Sequence, residues 1–226
     1  MNDQSKTPLV GTYRRVSSTN QELPIYSYGG GITVIDDPKE VGRAVDRIRS
    51  SHELGFDTET RPTFRKGEFH TVSLLQLATD EWVYLFRLHK CGFPPMLRTI
   101  LSDARIRKIG VGIRDDIKAL KRLGNFAPAG FVDLQSVAEG CGIVERSFSK
   151  LMIAVLGVRI SKRQQTSNWE YPILNEAQLR YAATDAWGSL KIYSDLCSKH
   201  GMIVHEEIIH EERKVLQKKR LGHSCR

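Results

Sequence analysis

The strongest constraint on the fold is a change of rhythm along the chain. Three apolar runs that read as strands, ELGFDTE, TVSLLQLAT and WVYLFRL, follow one another from residue 53 to 88 with no helical repeat between them. Only the polar connection from Pro62 to His70 and a short turn at Asp80 and Glu81 separate them. Strands joined so directly pair as an antiparallel meander. The pattern then alternates: a helix near Pro95 to Ser102, the strand KIGVG, a helix from about Asp115 to Leu123, the strand GFVDL, and further helices. Alternation of this kind implies parallel pairing, because parallel strands need a long crossover. Upstream, ITVI reads as a first strand. Asp37 then caps a helix with Pro38 in its first turn, and Val41, Ala44, Val45 and Ile48 recur at helical spacing.

A meander feeding strand-helix units predicts an α/β fold with a mixed sheet flanked by helices, the order of a ribonuclease H-like domain. With 226 residues the chain has enough length for one substantial core. The expected layout is a flexible arm over 1–27, one domain over 28–200 and a charged tail over 201–226. The last strong helix begins near Asn175, with Gln178 placed to complete a capping box. No apolar run approaches the roughly 20 residues that span a bilayer, and MNDQSKTP lacks the apolar core of a secretory signal, so a cytoplasmic protein is expected. Cys91, Cys141, Cys197 and Cys225 show no metal-binding spacing and read as reduced bystanders. The net charge of +8 tilts the reading towards a polyanionic partner.

Within the first strand of the meander, GFDTET sets Asp57 and Glu59 two residues apart. On a strand both project to one face, and like charges that close raise one another's pKa unless a cation lies between them. Taken alone, the pair also fits a strand end reaching water. More acids arrive in compatible places. Asp115 and Asp116 follow KIGVGIR, where a parallel strand ends and a helix begins, the usual edge for sites in such sheets. There they fit equally well as helix caps. Tyr181 and Asp185 stand four residues apart in QLRYAATDAWGSLKIY and share one helical face. Asp133, in FVDLQSV, reads as a cap for the following helix, and His70 and His210 as surface residues.

In this order the motifs resemble the 3′-5′ exonucleases of the DEDD superfamily, tyrosine subgroup, the group of ribonuclease D and the Werner syndrome exonuclease domain. The resemblance covers about Ile32 to Cys197. GFDTET matches the first motif, KIGVGIRDDIKAL the second and YAATDAWGSLKIY the third, while SKRQQTSNWE resembles the stretch that precedes the third motif in Werner-type members and their single-domain bacterial relatives. The resemblance assigns Asp57, Glu59, Asp116, Tyr181 and Asp185 as catalytic, with the Gly-Val-Gly-Ile register favouring Asp116 over Asp115. The four carboxylates are then the metal ligands.

Four carboxylates without histidine or thiolate suit hard cations, Mg²⁺ or Mn²⁺. Two such ions about 3.5–4 Å apart can clamp a scissile phosphate. By resemblance Asp57 bridges them, and Tyr181, too weak a base at its ordinary pKa near 10, orients the attacking water. The implied reaction is stepwise hydrolysis from a 3′ end with release of nucleoside 5′-monophosphates. DNA, single-stranded or 3′-recessed, is the expected substrate, with Thr58, Lys162, Arg163 and Gln164 expected to touch it. RNA 3′-end trimming is the alternative within the enzyme class. A catalytically silent nucleic-acid-binding module is the alternative outside it, but that reading expects a lost carboxylate, and none is lost.

Overall fold

The computed structural model describes Tyr13, residues 22–65 and residues 67–201. In chain order the elements are β1 (Ile25–Tyr26), β2 (Gly31–Ile35), α1 (Pro38–Ile48), β3 (Glu53–Thr60), β4 (Val72–Ala78), β5 (Trp82–Phe86), α2 (Leu88–Cys91), α3 (Pro95–Ser102), β6 (Arg107–Gly110), α4 (Arg114–Leu123), β7 (Phe131–Asp133), α5 (Leu134–Gly140) and α6 (Phe148–Leu151). A π-helical turn at Met152–Leu156, β8 (Arg159–Ile160) and the long α7 (Glu176–His200) complete them. His210, Cys225 and all of the expected tail after Gly201 lie outside the described residues.

Six strands form one sheet in the order β2-β5-β4-β3-β6-β7. The meander is antiparallel, β3 on β4 and β4 on β5, whereas β3 with β6 and β6 with β7 are parallel. This is the expected mixed α/β sheet. β2 lies parallel to β5 at the edge, an arrangement that α1 and the meander together make possible. A second, two-stranded parallel sheet joins β1 to β8. Ile25 and Tyr26 fall inside the stretch read as an arm, and two residues are too few to show a strand period in sequence.

Local signals explain the helix starts. The Asp37 side chain accepts from Lys39 N at the head of α1, and the Asp133 carboxylate accepts from Gln135 N at the head of α5. α7 opens with a complete capping box: Asn175 and Gln178 each bond the other's backbone. One face of the sheet buries Leu54, Phe56, Leu75 and Leu77 against Val41, Ile48, Leu97 and Leu101 of α1 and α3. The other buries Leu74, Ala78, Val83 and Leu85 against Ala182, Ala183 and Ala186 of α7. The run of alanines brings the helix axis close to the strands.

Gly55 takes that approach to its limit. A Cβ placed there would lie 2.0 Å from the Ala186 carbonyl oxygen, well inside contact distance. Only glycine lets α7 sit on β3 at this point, and the seat lies two residues before Asp57 and one residue after Asp185. Gly55→Ala is therefore expected to destabilise the fold by at least the ~1–3 kcal/mol typical of overpacking, because the clash is with backbone. Urea unfolding at fixed pH measures it; stability equal to that of the parent chain would contradict the close contact.

Candidate active site

β3 and α7 together build the acidic centre. Asp57 and Glu59 share the α7 face of β3 with Gly55, and Asp185 projects from α7 one residue before the Gly55 contact. Their carboxylate oxygens all lie within 4.8 Å of one another. Asp185 is buried, the other two half-buried, and Asp185 Oδ1 has no hydrogen-bond partner among the described residues.

Asp116 approaches from the opposite side of β3, on the first turn of α4, where Thr58 points. The Thr58 hydroxyl donates to Asp116 Oδ1. Asp116 thus stands beside the three-carboxylate group, near enough for its charge to act on Asp57 and Glu59. Asp115 turns away: its side chain is 88% exposed and pairs with Lys118 at 2.8 Å. Of the two neighbours, Asp116 is the one that faces the acidic group. Asp133 holds the turn that leads into α4, accepting from Gly112 N and Gln135 N at 3.0 Å each, and Gly112 has a left-handed φ of +67° that favours glycine.

Burial and crowding both oppose ionisation here. Asp57 is pushed well above the ordinary carboxylate range, first by desolvation and then by the charges of Asp185 and Asp116. Desolvation, followed by the charges of Asp57, Asp185 and Asp116, pushes Glu59 up to about 10. Asp185 rises to about 7 through desolvation, against a hydrogen bond from Tyr181 that favours its charged form. Tyr181 itself is driven above its ordinary value by burial and by the Asp185 and Glu59 charges, so it keeps its proton at any neutral pH. Three acids crowded this tightly, one with an orphaned buried oxygen, fit a hard divalent cation, which supplies the missing counter-charge and prefers oxygen donors.

The remaining sequence candidates divide. Arg163 and Gln164 line a cavity of about 690 Å³, open to Tyr26 and Tyr28 on one side and to Tyr181 and Asp185 on the other. Lys162 is exposed and lies outside that lining. Thr58 spends its hydroxyl on Asp116. His70 is half-buried and lies outside the acidic group. Two residues near the acids were not singled out from sequence. Gln76 pairs with Asp57 across β3 and β4, fully buried, with both amide atoms unpartnered among the described residues. Trp169 is fully buried, its ring 6.0 Å from that of Tyr181, and its indole N–H favours the charged form of Glu59. For Gln76 the signal was a polar residue inside the apolar run TVSLLQLAT; for Trp169 only the local order SNWE marked it.

The fold and this acid cluster define a mixed α/β domain with an acidic centre between β3 and α7. A family model described as 3′-5′ exonuclease matches residues 32–200, and the chain belongs to that family. It is 36% identical over 156 residues to the bifunctional 3′-5′ exonuclease/ATP-dependent helicase WRN of Mus musculus, a match covering 66% of this chain and 11% of that protein. It is 31% identical over 143 residues to DNA polymerase I of Aquifex aeolicus, covering 63% of this chain and 23% of that protein. The chain thus spans a minor part of the length of both relatives. Its fold is like that of Escherichia coli RNase D, an exoribonuclease involved in structured RNA processing: TM-score 0.71 at 22% identity, over 84% of this chain and 50% of that one. The resemblance seen in the motifs is borne out at the level of family and fold.

Metal-free stability should carry the signature of the crowded acids. A carboxyl whose pKa is raised on folding keeps a proton that the unfolded chain has lost, so stability is undiminished below about pH 4 and falls as pH rises through the folded-state value. The decline is expected across about 7 for Asp185 and on towards about 10 for Glu59. With chelator present, Glu59→Gln is expected to raise Tm at pH 8 by several degrees, at about 2–4 °C per kcal/mol for a chain of this size, because the cost of keeping a buried carboxyl protonated at that pH is removed. The gap should narrow at pH 5. A constant gap across that range would contradict the assignment.

Proposed function

We propose that this chain is an active exonuclease that hydrolyses phosphodiester bonds from the 3′ end of DNA and releases nucleoside 5′-monophosphates, with two Mg²⁺ or Mn²⁺ ions held by Asp57, Glu59, Asp185 and Asp116. The observation that carries this reading is the three carboxylates drawn within 4.8 Å of one another. When bound, such ions neutralise charge on the scissile phosphate and acidify the attacking water.

The chain's own residues do the rest. Asp57 and Glu59 present oxygens from a rigid strand, and Asp185 adds one from a helix whose register Gly55 fixes. Tyr181, protonated throughout the neutral range, acts as a hydrogen-bond donor that orients the water or the phosphate rather than as a base. Arg163 and Gln164, on the wall of the cavity that reaches Tyr181 and Asp185, contact the sugar-phosphate backbone of the incoming strand. The net charge of +8 favours a polyanion. DNA is preferred because the motif-flanking SNWE stretch is Werner-like and one relative is a DNA polymerase. The likeness of fold to an exoribonuclease supports the second reading, RNA 3′-end trimming.

Incubation with 5′-labelled DNA and RNA of matched sequence tests the proposal. Stepwise shortening of the DNA from its 3′ end is expected with Mg²⁺ or Mn²⁺ and none with chelator. Faster shortening of RNA would transfer the assignment to the second reading, and intact substrates in every metal would remove both. In the same assay Asp116→Asn is expected to abolish most activity while Asp115→Asn retains it; the reverse order would contradict the geometry of α4. Tyr181→Phe is expected to lower kcat by about 10²-fold, the lower end for a positioned proton-handling group, with little change in KM. An unchanged kcat would leave Tyr181 a packing residue only.

A further inference from the structure

We infer that Trp169 is a positioning residue for Glu59: its buried indole N–H donates to the Glu59 carboxylate when a divalent cation is held at the acidic centre, and so fixes which way that carboxylate faces. The inference rests on the metal-binding reading proposed above and adds to it a residue that touches neither cation nor substrate.

Trp169 is fully buried, yet its Nε1 closes no hydrogen bond of ordinary geometry with any described residue. Buried indole N–H groups normally find a partner, because an unmade bond retains the full cost of desolvation. The group close enough to be influenced by it is the carboxyl of Glu59. The ring is also packed beside Tyr181, 6.0 Å between centroids at 34°. Trp169 therefore stands between the first and third acidic motifs, with its single donor near Glu59 but short of a hydrogen bond of ordinary geometry.

The backbone around it is pinned from several directions, as a positioning device requires. Asn168 O accepts from Gln178 Nε2 of α7 at 3.2 Å, and the Asn168 side chain accepts from Glu170 N at 3.0 Å. Glu170 accepts from Ser73 of β4 at 3.1 Å and pairs with Arg61, at the end of β3, at 3.4 Å. Two residues further on, the fully buried Arg87 donates to the carbonyl oxygens of Tyr171 and Pro172. β3, β4 and α7, the elements that surround the acids, thus all grip the segment that carries this indole. A merely space-filling aromatic needs no such set of polar ties. Glu59 held ionised is an acceptor of full charge, and a charge-assisted bond to it is stronger than one to a neutral carboxyl. Groups that orient metal-ligating side chains in this way typically change metal affinity or activity by about 10–100-fold when removed.

Two measurements on the full chain test the inference without relying on turnover. In ¹⁵N-labelled protein the three tryptophans Trp82, Trp169 and Trp187 give three indole resonances, assigned by their loss in Trp82→Phe and Trp187→Phe and by elimination. Saturating Mg²⁺ is expected to move the Trp169 indole proton downfield and slow its exchange with solvent. Calorimetric titration of Mn²⁺ into Trp169→Phe, which keeps a ring but lacks the N–H, is expected to show affinity about 10-fold weaker than in the parent chain. A Trp169 resonance that Mg²⁺ leaves in place, or an unchanged Mn²⁺ affinity in the variant, overturns the inference. Should Trp169→Phe fail to fold, the resonance alone decides. Absence of Mn²⁺ binding to the parent chain is a different result, because it removes the metal reading itself.

Discussion

Everything distinctive about this molecule depends on the contact of α7 with β3 at Gly55. The Ala186 carbonyl occupies the space that any side chain at that position would need, so helix and strand meet backbone to backbone. Asp185 lies one residue before that contact on the helix, and Asp57 and Glu59 lie just beyond it on the strand. Packing therefore forces together three groups that electrostatics would drive apart. The alanine stripe of α7 and the leucines of β4 and β5 hold the contact closed, and the apolar burial behind it offsets the repulsion in front. A site of this kind is poised: its acids are raised towards neutrality when bare and are returned to the charged form by a cation.

Much of this was legible in the chain. The period-two spacing of Asp57 and Glu59 and the four-residue spacing of Tyr181 and Asp185 each place both members on one face, which follows from strand and helix geometry alone. The Asn175 capping box, the Asp37 cap and the Asp133 cap are local signals, and all three appear as read. The mixed sheet followed from connection lengths. What sequence left hidden depends on contacts between distant segments. That Thr58 bonds Asp116 can be seen only when α4 is laid against the far side of β3. Gln76 looks like an interruption of an apolar strand until the register sets it opposite Asp57. β1, β8, α2 and α6 are too short to show any period; Arg159 bonds hold the chain at the head of β1, and the segment just after β1 is tied to α7, where Thr184 Oγ1 accepts from Tyr28 N.

The same long-range ties join the site to its approach. Arg180 of α7 donates to the carbonyl oxygens of Tyr28 and Gly30, so the helix that carries Tyr181 and Asp185 also anchors the segment that walls the adjoining cavity. One helix thus sets Asp185, the phenol of Tyr181 and one side of the adjoining cavity. In a family whose members share this fold at low identity, that economy gives a physical reason for the third motif to sit on the longest helix: a rigid element transmits one register to several tasks.

On the reading proposed above, packing at Gly55 assembles a cation site from Asp57, Glu59 and Asp185. Thermal unfolding at pH 8 with chelator, and then with increasing Mn²⁺, tests it most directly, since a ligand that binds only the native state raises Tm in proportion to the logarithm of its excess over Kd. A rise that grows with Mn²⁺ is expected in the parent chain and is expected to vanish in Asp57→Asn, which starts from a higher metal-free Tm because one crowded, buried ionisable carboxyl is gone. A parent chain whose Tm ignores Mn²⁺, or an Asp57→Asn variant that responds just as strongly, would contradict it.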